Sequence, residues 1–199
     1  MNTVATATAP GARLLLPEAR TFSKFLDNPL PENFFEQVHD LMRWGPTSQN
    51  QQSGRFVVLR SKEAKDRIRD AVWDVNLPKV DSAQATVVFA YDTSFHEYLP
   101  KTFPHRPEAR ERFDDDPALR EEEAFRNGTL QAAYFILAIR ALGADAGPMS
   151  GFHREKVDAA LFAGTTWKSN FLCNVGYGDE SSLFGRLPRM ERADVMQIL

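Results

Sequence analysis

Apolar positions first fall into a regular pattern at Phe34, Phe35, Val38, Leu41 and Met42, which lie on one side of a helix; Pro31 suits its first turn, and Gly45-Pro46 its stop. At residues 55–60 the period changes. RFVVLR is β-branched and apolar, which predicts a buried strand, and Ser61 stands as N-cap of a charged helix reaching about Trp73. ATVVFAY at 85–91 predicts a second strand. From 92 to 117 the periodicity breaks down. Four prolines, two histidines and the acidic run Asp114 to Asp116 predict a long irregular excursion with at most short helical pieces, the kind of connection that often serves as a lid. A long helix follows from about Leu119 to Leu142, where Leu130, Ala133, Ile136, Leu137 and Leu142 repeat at helical spacing and Gly143 provides the stop. Its middle, QAAYFILAIRAL, is apolar nearly all round and is expected at the centre of the core. A helix from about His153 to Phe162, a third strand at 169–175, and an extended arm with a short terminal helix complete the order. Strands and helices that alternate around one long insertion argue for a mixed α/β or α+β domain with a central sheet.

Composition narrows the class. A chain of 199 residues suits one domain, expected over 18–199, that buries roughly 70 % of its unfolded surface. With 43 % hydrophobic and 26 % charged residues it is no disordered protein. Twenty-four basic and 27 acidic residues are spread along the chain, so no basic block argues for nucleic acid. The single cysteine, Cys173, leaves no intramolecular disulfide, and its apolar strand setting predicts a buried, inert thiol. Histidines at 39, 96, 105 and 153 show no i, i+4 pair, which argues against a histidine metal site. The opening MNTVATATAPGA lacks the basic and apolar regions of a secretory signal, and no apolar run reaches the roughly 18 residues of a membrane span. A loose tail over 1–17 and a cytoplasmic address are therefore expected.

The chain contains no nucleophile elbow, P-loop, HExxH or dinucleotide fingerprint. Three polar segments remain. EARTFSKF carries Arg20, Thr21 and Lys24; RWGPTSQNQQSG carries Thr47, Ser48, Asn50 and Gln52; DAGPMSGFHREK sets Pro148, Met149, Ser150 and Gly151 just before a helix. Taken singly, these read as a solvated basic pair, turn chemistry and a helix cap.

In order and spacing, RTxxK, GPTSxNxQ, GPMSGF, WKSNFLCNVGYGD and a closing RLPR resemble the nitroreductase family, and within it the malonic semialdehyde reductase branch, from about Glu18 to Leu199. That resemblance implies an α+β fold with a central mixed sheet flanked by helices, and a homodimer with an extended C-terminal arm. It also implies FMN at the subunit interface, reduced by NADH or NADPH and reoxidised by a small-molecule substrate, here malonic semialdehyde going to 3-hydroxypropionate. A quinone or nitroaromatic reductase, or a flavin-binding protein with little turnover, are the other readings. By the same resemblance Arg20 and Lys24, with Thr21 between them, hold the phosphate and the ribityl or ring edge. Ser48, Asn50 and Gln52, with Thr47, reach the flavin from the partner. Pro148, Met149, Ser150 and Gly151 form the loop whose backbone faces flavin N5. Arg186 or Arg189 meets the phosphate from the C-terminal end.

These roles make chemical sense. Arginine forks match phosphate, amide side chains match the donors and acceptors of a flavin edge, and the cofactor carries the hydride chemistry without a protein acid or base. The chain departs from the family pattern at Gln52-Ser53-Gly54, where many members have Gln-Pro-Trp, and at Ser150, where many have an acid. Arg55, Lys101 and Arg106 are candidate cations for a substrate carboxylate, and Trp44, Trp73 and Phe135 are expected in the core.

Overall fold

The fully buried strand β2 (Ala85–Asp92) organises the molecule, and its alternating side chains serve two separate cores. Val87 and Phe89 face one layer with Cys173 and Val175; Val88 and Ala90 face the other with Leu172. The computed structural model describes residues 15–199, so the part of the expected tail over 1–14 lies outside the described residues. A four-stranded sheet runs in the order β1 (Gly54–Leu59), β2, β4 (Trp167–Gly176), β3 (Asp145–Met149).

On one face lie α1 (Phe34–Met42) and the long α5 (Pro117–Ala141), packed through Phe34, Val38, Met42, Ala132, Phe135 and Ile139. On the other lie α2 (Lys62–Asp66), α3 (Leu77–Ser82) and α6 (Arg154–Leu161), which add Val80 and Val157 to a core shared with Ile68, Val72, Phe152 and Phe162. The excursion after β2 is built of short helical pieces: turns of 3-10 helix at Phe95–Tyr98 and Pro107–Phe113 around α4 (Leu99–Thr102). It closes on its own small core of Phe95, Leu99 and Phe113. Beyond Leu183 the arm is extended and ends in α7 (Arg192–Val195), with Phe184, Leu187, Met190 and Ile198 exposed.

The α+β architecture expected from the sequence is present, with instructive differences. All three strand pairings are antiparallel, where a mixed sheet was expected. The helical connections are long enough to return the chain in either sense, so element order alone does not fix the pairing. β3 was hidden in ADAGPM, because small residues and a proline suit an edge strand but carry no apolar alternation. The helix expected to reach Trp73 ends at Asp66. Val72 bridges Phe152, and the Trp73 N–H donates to Gly151 O at 3.0 Å, so tertiary pairing captures backbone that a helix would have used. Ser61 caps α2 as expected, accepting from Ala64 N at 3.1 Å. At the end of α5, Gly143 adopts φ +81°, the left-handed stop anticipated for it.

Phe135 is core, but Trp44 is 80 % and Trp73 50 % exposed, contrary to expectation. Cys173 is buried, and loss of solvent pushes its thiol up to about 12.

Candidate functional site

Arg20, Thr21, Arg186 and Arg189, drawn from opposite ends of the chain, line one cleft of about 310 Å³. An arginine from the last turn of α5, Arg140, joins them. No carboxylate lines the cleft among the described residues. Arg20 Nη2 donates to Phe184 O at 2.5 Å and so ties the arm to the N-terminal segment. Arg189 folds back on Leu187 O and Pro188 O at 3.0 and 3.2 Å, whereas Arg186 has no such internal partner. Lys24 is not in this cleft. Its ammonium meets Asp179 at 3.1 Å, and Ser181 together with Lys24 holds that carboxyl below the usual carboxylate range.

Arg140 was missed by the sequence reading, although a lone cation within QAAYFILAIRAL is itself a signal. Its Nη1 donates to Leu15 O at 2.9 Å, and its buried Nε has no partner among the described residues. Burial pushes its guanidinium down from its ordinary value, with Cys173 and Asp145 opposing.

Thr47, Ser48, Asn50 and Gln52 lie on a loop of unusual backbone. Gln49, Asn50 and Gln52 take φ of 49°, 52° and 48°, all left-handed and none of them glycine. Such strain persists only where the surroundings enforce it. Here α5 does so through Glu123, Asn127 and Gln131, spaced by four on one helix face and all buried. Asn127 Oδ1 accepts from Ser48 N at 2.8 Å, Gln51 Nε2 donates to Glu123 at 3.2 Å, and Gly54 N donates to Gln131 Oε1 at 2.7 Å. Thr47 Oγ1 accepts from Gln52 N at 3.3 Å and closes the loop from within. The buried Gln49 Oε1 has no partner. The sequence reading assigned α5 an apolar role; the i, i+4, i+8 polar row was the signal against it.

Asn50 and Gln52 line a second cleft, about 580 Å³, with Arg43, Arg55, Tyr98 and Lys101. The side chains of Asn50 and Gln52 are linked at 3.0 Å, and Asn50 Nδ2 donates to Thr102 O at 2.7 Å, so the excursion helps position the loop. Arg55 is spent structurally: it pairs with the buried Asp92 at 2.6 Å and donates to the carbonyls of Gln52 and Gly54. Arg106 pairs with Glu108 at 3.3 Å and does not line the cleft. Of the three candidate cations, Lys101 alone stands there without an acidic partner among the described residues.

Pro148 and Met149 end the edge strand β3, opposite Cys173 and Leu172, and are not part of a free loop. Ser150 and Gly151 form the turn that follows. Gly151 O accepts from Trp73 N and, at 3.2 Å, from Asn76 Nδ2; Lys79 donates to Asn76 Oδ1 at 3.0 Å. A Cβ on Gly151 would stand 2.2 Å from Asn76 Nδ2 and 3.1 Å from the Trp73 ring, so a side chain there would have to displace Asn76 from the turn. Ser150 does not cap α6: His153 holds the N-cap position and makes no side-chain cap bond. Asn76 and Lys79, beside this turn, were not singled out from the sequence, where they read as ordinary helix-start residues.

These features define an α+β domain with a cationic cleft, a strained amide-rich loop and a glycine turn, the three segments the sequence motifs marked. The family model of the nitroreductase family matches residues 18–177, and the chain belongs to that family. A protein of Stenotrophomonas maltophilia (strain R551-3) named "Putative NADH dehydrogenase/NAD(P)H nitroreductase" is 50 % identical over 184 residues, covering 92 % of this chain and 93 % of its own. The fold is shared with the nitroreductase family protein of Streptococcus pneumoniae TIGR4 (TM-score 0.77, 20 % identity, 93 % and 98 % of the two chains). It is shared also with a "putative nitroreductase" of Exiguobacterium sibiricum 255-15 in complex with FMN (TM-score 0.81, 17 % identity, 99 % and 100 % covered).

Proposed function

We propose that the protein is an FMN-dependent NAD(P)H oxidoreductase that works as a homodimer and reduces malonic semialdehyde to 3-hydroxypropionate. The observation that carries this reading is the convergence of Arg20, Arg140, Arg186 and Arg189 on one cleft that no carboxylate among the described residues lines. Guanidinium groups repel one another and are best gathered around an oxyanion such as the FMN phosphate. The orphaned Arg140 Nε fits such a ligand.

Geometry also supports two copies. Arg140 and Asn127, which anchors the amide loop, lie thirteen residues apart on α5, about 20 Å of helix. A flavin whose phosphate sits in the arginine cleft would fall short of the loop of its own chain, and a second copy would supply one. Along the same helix α5 exposes Phe125 and Leu130, which with Ala133 line an apolar groove of about 650 Å³. A second α5 is its natural cover.

Bound FMN would supply the hydride relay between nicotinamide and acceptor. The protein's part is to bind and orient. Arginines hold the phosphate, Ser48, Asn50 and Gln52 meet the ring edge with donors and acceptors, and the Ser150-Gly151 turn, propped by Asn76 and Lys79, offers backbone groups near N5. Lys101 and Arg43, at the mouth of the second cleft, suit the carboxylate of malonic semialdehyde. The named nitroreductase relative supports a quinone or nitroaromatic acceptor as the second reading.

Purified protein should carry FMN and bleach on anaerobic mixing with NADH or NADPH, and malonic semialdehyde should restore the flavin absorbance. Bound flavin without bleaching would mark a flavin-sequestering protein. Reoxidation by quinones or nitroaromatics but not by the aldehyde would leave the oxidoreductase and remove this substrate.

A further inference from the structure

We infer that Arg140 is a direct ligand of the FMN phosphate and forms the third pole of a clamp whose other poles are Arg20 and Arg186. The inference rests on the flavin reading above and assigns the contact of one residue within it. Arg140 sits on the last turn of α5, where the helix carbonyls favour a cation, and its one acidic neighbour among the described residues, Asp145, acts on it without lining the cleft. Its bond to Leu15 O uses Nη1, on the far side of the guanidinium. That leaves the Nε–Nη2 edge, the pair of parallel donors that matches two oxygens of one phosphate, and the buried Nε has no partner. A guanidinium cannot relieve its partial burial by giving up its proton, so a donor edge left unpaired beside a cleft suits an anion.

The three poles come from sequence-remote segments: residues 19–21, the end of the central helix, and the arm at 184–189. Arg20 already holds the arm through Phe184 O, and Arg140 holds the chain at Leu15. A phosphate bound by all three would therefore lock both chain ends to α5, so that cofactor loading and seating of the arm become one event.

Riboflavin, which is FMN without its phosphate, separates this role from a merely structural one. Titrated against flavin-free protein, Arg140→Gln should bind FMN at least tenfold more weakly than the wild type while its riboflavin affinity stays within twofold. Arg140→Lys, which keeps the charge but loses the paired donors, should fall between. Inorganic phosphate should raise the melting temperature of the flavin-free wild type, and raise it less in Arg140→Lys. Equal losses for FMN and riboflavin, or no loss for either, would overturn the assignment and leave Arg140 as a tether for Leu15. Should Arg140→Gln fail to fold by circular dichroism, the Arg140→Lys titrations decide. A wild type that binds neither flavin would refute the flavin reading itself.

Discussion

Asn127 Nδ2 donates to Gln51 Oε1 at 2.7 Å, with both residues about 1 % exposed, and through this bond the central helix shapes the loop that carries Ser48, Asn50 and Gln52. The same Asn127 side chain accepts from Ser48 N and reaches Glu123. Asn127→Ala would leave the Ser48 N–H and the Gln51 Oε1 without partners. A stability loss of about 3 kcal/mol is expected, since orphaned buried groups cost roughly 1–3 kcal/mol each, to be read from denaturant unfolding. FMN affinity should fall with it, because the loop loses its enforced shape.

Strain in that loop can be tested one residue away. Gln49 holds φ 49° and buries an unpartnered Oε1. Gln49→Gly suits the left-handed backbone and removes the orphan, so thermal stability should stay level or rise by up to about 1 kcal/mol. Gln49→Val, β-branched and poorly suited to that region, should cost about 1–3 kcal/mol. Equal melting temperatures for the two variants would mean that the loop is not held in this conformation.

His96 makes the excursion sensitive to acid. The ring is 6 % exposed between Phe95 and Phe113, and its Nδ1 has no partner. Burial lowers its pKa below the ordinary 6.5; Arg120 and Arg110 add to the shift, while Asp114, 3.8 Å away, and Glu97 oppose it. The fold therefore favours the neutral ring. Its contribution is complete above about pH 6.5 and is lost as pH falls from there through the lower folded value, where the unfolded chain binds the proton first. Melting temperature should drop between pH 7 and 5, with a shallower slope in His96→Leu. Parallel slopes would assign the acid response to other groups.

The exposed face of α5 gives the assembly prediction. Leu130 is 42 % exposed on the single chain, where Leu130→Lys should change stability by no more than about 0.5 kcal/mol. In a dimer closed over the α5 groove the same change buries a charge. Light scattering on a size-exclusion column should show a monomer in place of a dimer, with FMN lost alongside. A dimer that persists with full flavin content would place the interface elsewhere.

The sequence by itself determined the elements whose signals are local. Apolar spacing marked α1 and the long helix, β-branched runs marked β1 and β2, an apolar strand pattern marked β4, and Gly143 marked the helix stop, because each of these depends on neighbours within a turn or a strand. Motif order likewise brought out Arg20, Thr21, Arg186 and Arg189, which the fold gathers into one cleft. Tertiary structure decided what depends on remote partners. Strand direction, the edge strand at Asp145–Met149 and the early end of α2 follow from pairings across the sheet and with the Gly151 turn. Arg140, Asn127 and Asn76 gained their partners for the same reason: a polar side chain in an apolar or helical run shows its partners only when folding places a donor, an acceptor or a charge opposite it, and folding likewise set Asp179 beside Lys24 and Asp92 beside Arg55.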